Sequence, residues 1–459
     1  MLFSPHAGAT GEQLAAAVEG PPSPAMGLEE ALRYAREHHP AVLAARARLA
    51  AFRAEAEVPG AQWAPSVGAF AEVVASTTNN STTTVVNNPR VDLPRIGATP
   101  VVRSGGDWAP SPSTLVAVGV RQQLYDFGRI AAQTAAADAA ANVEALRGQA
   151  ARLDVDFAVA EAYYAVLAAK AVLRAAASAE GRSKTQRDFA KAGVDRGLRP
   201  PLERTRAEAD VARFEVGRVR AEGGLAVAQG VFAAAVGVPS PLLDARDEPP
   251  APEAAPPPLA SALSQAMAHD PAILEAQARV AWQRAQTKAI GALLRPDLFL
   301  TGSLSGRAGG ADPSSGEAAR YGGWVPHIPN WSAGLVLSLP LYDANVLARR
   351  DASRVAEGAR AAEARVLEQR QSAAVRQAYT AVEVARTALS ALERSVEAAR
   401  ANQEQADARF KAGLGTALEV ADAEALRTDA EIQLAVGAFQ LGRNRAVLSR
   451  TIAATSGPP

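Results

Sequence analysis

The side chains able to do acid–base, nucleophilic or metal chemistry are few in this chain and poorly gathered. It has five histidines and no cysteine, which removes thiolate nucleophiles, disulfides and Cys-based metal sites. His38-His39-Pro40 and His269-Asp270-Pro271 stand where helices begin, so capping or packing suits these histidines better than metal ligation or general-base work. No phosphate-binding GxxxxGK[ST], no G-x-S-x-G elbow and no HExxH occurs. The carboxylates offer more. Glu419 and Asp422 lie one helical turn apart and therefore on one helix face, with Glu203 as the earlier counterpart of Glu419. Acids near a helix N-terminus are favoured by the dipole alone. Glu208 recurs as Glu424, a repetition that a helical scaffold needs too. Glu72 and Arg121 fall on the polar side of extended segments, where they tune polarity rather than perform catalysis. No convergent acid, base or nucleophile set emerges, so the chain is expected not to be an enzyme and to need no cofactor or metal.

What positions these residues is a duplication. Leu28-Glu29-Glu30-Ala31-Leu32 followed by His38-His39-Pro40 returns as Leu259-Ala260-Ser261-Ala262-Leu263 followed by His269-Asp270-Pro271. Leu124-Tyr125-Asp126 returns as Leu341-Tyr342-Asp343, and Leu202-Glu203 as Leu418-Glu419. The offset drifts only from about 231 to about 216 residues, so two copies of one plan follow each other. Residues 1–27 form an N-terminal tail, 28–238 the first repeat, 239–258 a Pro-rich connector and 259–455 the second repeat.

Proline is absent between Pro112 and Pro200 and between Pro340 and Pro458, in a chain with 30 prolines. Each gap accommodates one very long helix, about 129–191 and about 345–411, the first ~95 Å at 1.5 Å per residue. Each is expected to end at Lys-Ala-Gly, at Gly193 and Gly413, and to turn back into a return helix, about 202–236 and about 416–453. Aromatics are only 5% and alanine dominates the apolar fraction, so these helices must pack closely along long seams. Net charge is +0 with no basic stripe, which argues against nucleic acid as a partner.

Ahead of each long helix the periodicity changes to two. Leu298, Leu300, Gly302 and Leu304 alternate with Phe299, Thr301, Ser303 and Ser305, and Trp331, Ala333, Leu335, Leu337, Leu339 and Leu341 form one face against Ser332, Gly334, Val336 and Ser338. In the first repeat Val67, Ala69, Ala71 and Val73, then Val116, Val118, Val120 and Leu124, form the matching face. Strands are expected at about 66–75, 114–124, 297–306 and 331–341, with polar tips over Thr77–Asn88 and Arg307–Asn330. Each strand is about 9–11 residues, the length that crosses a tilted barrel wall. Tyr125, Trp331 and Tyr342 sit where an aromatic girdle belongs. No apolar run approaches the ~20 residues of a membrane helix, and residues 1–27 show no signal peptide.

A small sheet buried on a helix bundle would alternate in the same way, which makes a soluble coiled-coil scaffold the alternative. Against it, no amphipathic helix adjacent in sequence covers the apolar face. Four strands cannot close a barrel and an open edge is not tolerated in lipid. Closure therefore needs other copies: two would give eight strands, three would give twelve.

Helix, strand pair, very long helix and returning helix, all stated twice, resemble the TolC-like outer-membrane factors. The motifs agree: Leu28-Glu29-Glu30-Ala31-Leu32, Leu124-Tyr125-Asp126-Phe127-Gly128-Arg129, and Arg409-Phe410-Lys411-Ala412-Gly413-Leu414. The resemblance spans about Leu28 to Ile452. It implies a mainly α fold with membrane strands: an α-helical barrel of long hairpins, and four strands per chain in a homotrimeric 12-stranded β-barrel. It implies a passive duct across outer-membrane lipid, extending into the periplasm. Such a duct serves a tripartite efflux pump or type I secretion with a periplasmic adaptor and an inner-membrane transporter. It also implies that Glu419, Asp422 and Glu203 form an acidic gate at the periplasmic tip, where threefold symmetry would gather carboxylates and favour cations. The turns Gly193-Val194 and Gly413-Leu414-Gly415-Thr416 match adaptor-docking segments. The family's latch tyrosine and arginine fall on Phe410 and Gly415, so Arg409 and Lys411 are the cations expected to substitute. Glu72 and Arg121 face the lumen.

Overall fold

The structure is a computed structural model that describes residues 25–76, 111–247, 257–309 and 328–453. Most of the N-terminal tail, the tip Thr77–Asn88, most of the tip Arg307–Asn330, residues 248–256 of the connector and residues 454–459 lie outside the described residues.

The order is β1 (Ala25–Met26), α1 (Leu28–His38), α2 (Pro40–Ala61), β2 (Ser66–Ser76), β3 (Ser111–Tyr125), α3 (Arg129–Asp195) and α4 (Pro201–Val236). The second copy follows as β4 (Asp244–Ala245), α5 (Leu259–His269), α6 (Pro271–Gly291), a 3-10 turn (Ala292–Leu294), β5 (Asp297–Gly309), β6 (Ile328–Ser338), α7 (Ala344–Lys411) and α8 (Ala417–Thr451). Two compact units share these elements. One comprises Met1–Leu49, Glu144–Ala276 and Ala364–Pro459; the other comprises Ala50–Val143 and Gln277–Glu363.

The second unit holds one antiparallel sheet in the order β2-β3-β5-β6. Its register aligns the alternating residues: Val67 with Val120, Ala69 with Val118, Val118 with Leu304, and Leu304 with Trp331. Leu300 meets Leu335 and Leu298 meets Leu337. Period-2 alternation therefore adds up across four strands into one apolar face. β6 starts and stops earlier than expected, so Trp331 lies inside the strand and Leu339 and Leu341 lie past its end. Pro340, just beyond, has no N–H for a ladder.

The repeated Leu-Tyr-Asp explains how a strand becomes a helix. Asp126 accepts from the N–H groups of Gly128 (3.0 Å) and Ile130, and Asp343 from those of Asn345 (2.8 Å) and Val346 (3.2 Å). Each aspartate caps the start of a helix of 67 or 68 residues, satisfying one or two of its open donors.

In the first unit the core is built from small residues. Val159, Val166, Phe232 and Val236 pack with Ala31, Ala35, Ala233 and Leu32, while Val375, Val382, Leu441 and Leu448 pack with Ala262 and Ala266. The repeated histidine turns close these cores. His39 Nδ1 accepts from the N–H of Ala41 at 3.1 Å, and His38 stacks on Tyr34 with ring centroids 4.4 Å apart. In the second copy Asp270 does the capping, accepting from Ala272 N–H at 2.7 Å and from the amide of Gln371, with 1% of its surface exposed.

Burial pushes the Asp270 carboxyl above its ordinary value, against the hydrogen bonds that favour the charge. A carboxyl raised on folding binds its proton more tightly in the folded state. Its contribution is then full below the ordinary carboxylate value and is lost as pH rises through the raised one. Asp270→Asn keeps a capping oxygen without the charge. Its thermal midpoint is expected to fall less than the parent's between about pH 3.5 and about pH 7; parallel curves would refute this.

Candidate functional site

Two surfaces carry the residues singled out by sequence, one in each unit. On the sheet, the apolar face is the uncovered one. Val67 is 68% exposed, Leu335 66% and Trp331 79%, while on the other face Leu115 and Ala117 are 4% and 1% exposed. The chain's own helices leave the greasy side open to its surroundings. Tyr125, Phe127, Tyr342 and Trp63 are all exposed near the helix-proximal strand ends, and Tyr125 and Phe127 meet edge to face at 4.7 Å. Glu72 and Arg121 lie on the sheltered face but apart, opposite Leu115 and Ser66 respectively. The Arg121 guanidinium sits 3.6 Å from the Phe299 ring centroid on that face. β2 and β6 are the outer strands, so each leaves one ladder edge without a partner among the described residues.

The other surface is the pair of hairpin turns. The second turn is compact. α7 ends at Lys411, Gly413 follows with φ 77°, and Thr416 caps α8 by accepting from Glu419 N–H at 3.2 Å. Gly415 is tightly enclosed. A Cβ there would come within 3.2 Å of Phe410 N and 3.3 Å of Arg409 Cβ, so no arginine fits at this family latch position without movement.

The first turn differs from expectation. α3 does not stop at Gly193 but runs on to Asp195, and the left-handed residue is Gly197, with φ 69°. About four extra residues before Pro201 carry the turn further along. Gly193 and Val194 accordingly lie in the last turn of a helix.

The acids named by sequence are held differently from one another. Glu203 Oε2 is 2.8 Å from Arg199 Nη1, a close pair, while Glu419 lies 3.9 Å from Arg409 Nε. Asp422 is exposed and makes no ion pair among the described residues. Arg409 also donates to Leu414 O at 3.2 Å, and Lys411 pairs with Asp407 at 2.6 Å. Both expected substitute cations therefore stay within their own hairpin. Of the cations at the turns, Arg199 reaches the other hairpin, its Nη2 donating to Phe410 O at 3.2 Å.

Sequence reasoning missed that arginine, and also missed what separates Glu208 from Glu424. Glu208 is an exposed partner of Arg204, whereas Glu424 is buried and its two oxygens share the Arg182 Nε–H at 2.8 and 2.9 Å. The Asp126 and Asp343 caps had a visible signal, an aspartate just before a long proline-free run. Arg199 had none.

The family model for outer membrane efflux proteins matches residues 31–238 and 262–453. This chain belongs to the outer membrane efflux protein family. Solved outer-membrane channels share the fold. The outer-membrane channel OprN superposes with a TM-score of 0.73 at 22% identity, over 93% of this chain and 90% of that one. The outer membrane protein VceC of Vibrio cholerae gives 0.69 at 17% identity, covering 93% and 95%. The open state of the MtrE outer membrane channel of Neisseria gonorrhoeae gives 0.68 at 20%, covering 93% and 88%. No curated protein matches the sequence. The protein is therefore an outer-membrane efflux channel component, and its sheet is not the buried sheet of a soluble scaffold. No helix among the described residues is long and apolar enough to cross a membrane.

Proposed function

We propose that three copies of this chain close one barrel in the outer membrane and continue it as a helical tunnel in the periplasm. Efflux then passes through a duct with no chemistry of its own. The observation that carries this is the sheet: an exposed apolar face bounded by two open edges. Three antiparallel pairings separate β2 from β6, so the two edge strands run in opposite directions. β6 of one copy beside β2 of the next continues the same alternation and removes every edge. Two copies would give an eight-stranded barrel that side chains fill, whereas three leave a passage.

The long hairpins then meet an adaptor at their turns, around Gly193, Val194 and Gly413–Thr416, with an inner-membrane transporter supplying energy through it. Glu419 and Asp422, exposed and weakly neutralised, are the acids that symmetry would gather at the tip, favouring cations there. Glu203 takes part as a carboxylate already paired with Arg199. Glu72 and Arg121 set the polarity of the barrel interior.

The test uses the whole chain. It should need detergent for extraction, sediment as three copies and conduct ions in planar bilayers. A chain that stays in the aqueous fraction and is silent in bilayers would reject the duct.

A further inference from the structure

Aromatic rings are scarce in this alanine-rich chain, which has 11 phenylalanines in 459 residues. Three of them gather at one place. Phe189 of α3, Phe214 of α4 and Phe410 of α7 line a cavity of about 230 Å³, and α8 closes it through Val420, Ala421 and Glu424. The Phe189 and Phe410 ring centroids are 5.6 Å apart, with the planes tilted by 57°. Rigid rings on three helices cannot interdigitate with the alanines beside them, Ala190, Ala207 and Ala421, so a gap stays between the four helices. An apolar cavity of about 150 Å³ is enough to hold benzene. By that scale this one takes a body of about two fused rings.

The polar part of the wall says what such a body should carry. The acids there are matched: Glu424 by Arg182 at 2.6 Å, Asp407 by Lys411 at 2.6 Å and Asp210 by Arg213 at 3.6 Å. Gln403 Oε1 accepts from Arg427 at 3.1 Å. The Nε2 of Gln186, which also lines the cavity, is buried and has no hydrogen-bond partner among the described residues. Arg206, exposed on the same wall, makes no ion pair among them. A buried donor without an acceptor is costly, and walls of aromatic carbon offer a water few partners. An acceptor attached to a flat apolar body satisfies Nε2, and the Arg206 charge favours a negative one.

We propose that this cavity is a binding site for a small aromatic carboxylate of about two fused rings. The phenylalanines hold its body by offset and edge contacts, Gln186 donates to the carboxylate, and Arg206 supplies the opposite charge. The site is built within one chain, so it goes beyond the duct and depends neither on the barrel nor on the number of copies.

The cysteine-free chain makes the test direct. Ala421→Cys places a single thiol on the cavity wall, and its rate of alkylation by a maleimide in the full-length, detergent-extracted protein reports occupancy. The probes are naphthoate, naphthalene and naphthylmethylammonium. Naphthoate should slow labelling at concentrations roughly tenfold below those naphthalene needs, the worth of one charge-assisted hydrogen bond. The ammonium should need more than either. In the same background, Gln186→Glu sets a carboxylate beside the bound one. It should abolish protection by naphthoate and keep protection by naphthalene, which a misfolded variant would lose as well. Arg206→Gln should weaken naphthoate and leave naphthalene unchanged. A thiol that none of the three probes protects would overturn the site and leave a water-filled gap. Naphthoate protecting Gln186→Glu as well as the parent would overturn the part given to Gln186. Tighter protection by the ammonium than by naphthoate would overturn the carboxylate.

Discussion

Leu304→Arg is expected to keep the protein from assembling in a bilayer. Leu304 is 62% exposed near the middle of β5, opposite Val118 on one side and Trp331 on the other. All three project from the uncovered face. If that face meets hydrocarbon, an arginine at this depth costs about 2–4 kcal/mol per copy, repeated in every subunit of the assembly. The yield of detergent-resistant oligomer, and its folding into lipid vesicles, should fall by at least roughly tenfold. Ser303→Arg, one residue away, points to the other side of the sheet. It adds bulk on the sheltered face but no charge to lipid, so it should insert better than Leu304→Arg. Equal yields from parent and Leu304→Arg would mean that water, not lipid, borders the apolar face.

The second large effect concerns the shaft. Arg182 on α3 reaches Glu424 on α8 with a bifurcated Nε–H bond and a 2.6 Å approach of Nη2, and the glutamate side chain is only 7% exposed. Thr428 Oγ1 adds a further bond at 3.3 Å. Arg182→Met strands a buried carboxylate, which costs about 3–5 kcal/mol. Removing both charges, as Arg182→Met with Glu424→Leu, should recover most of that loss, because two apolar side chains of similar volume replace a pair that was costly to desolvate. The midpoint of denaturant unfolding followed by helical circular dichroism checks both. A double variant as unstable as the single one would show that the pair contributes through more than its charge balance.

These two effects explain how a chain with few large apolar residues holds so much helix together. Alanine seams bury little area per residue, so cross-helix ion pairs such as Arg36 with Asp156 at 2.9 Å and Arg450 with Asp154 at 2.6 Å add specificity where packing alone is weak. Their positions fix which helix faces which, a task that uniform alanine surfaces do poorly.

Much of this was legible in the chain. The duplication, the two proline-free runs and the period-2 segments depend on local rules: a missing ring at each turn of a helix, or alternation along a strand. Those rules act within a few residues of themselves, so Val118, Leu304 and Leu335 declare a common face before any fold is known. The caps Asp126 and Asp343 obey local rules as well.

The helix end near Gly193 shows where such rules stop. Lys-Ala-Gly occurs twice, yet only Gly413 closes its helix, because the extra residues of the first turn move the left-handed position to Gly197. Gly193 is kept free of a side chain by Arg199 passing over it, a contact made in space. Glu208 and Glu424 occupy the same place in the repeat, and only the packing of α3 against α8 buries one of them. By itself, then, the sequence determined which segments are helix or strand and which strand side is greasy, since neighbours along the chain decide those matters. Tertiary structure alone decided which charges are buried, which cations cross between hairpins and that the greasy side stays uncovered, because each depends on residues hundreds of positions apart meeting or failing to meet.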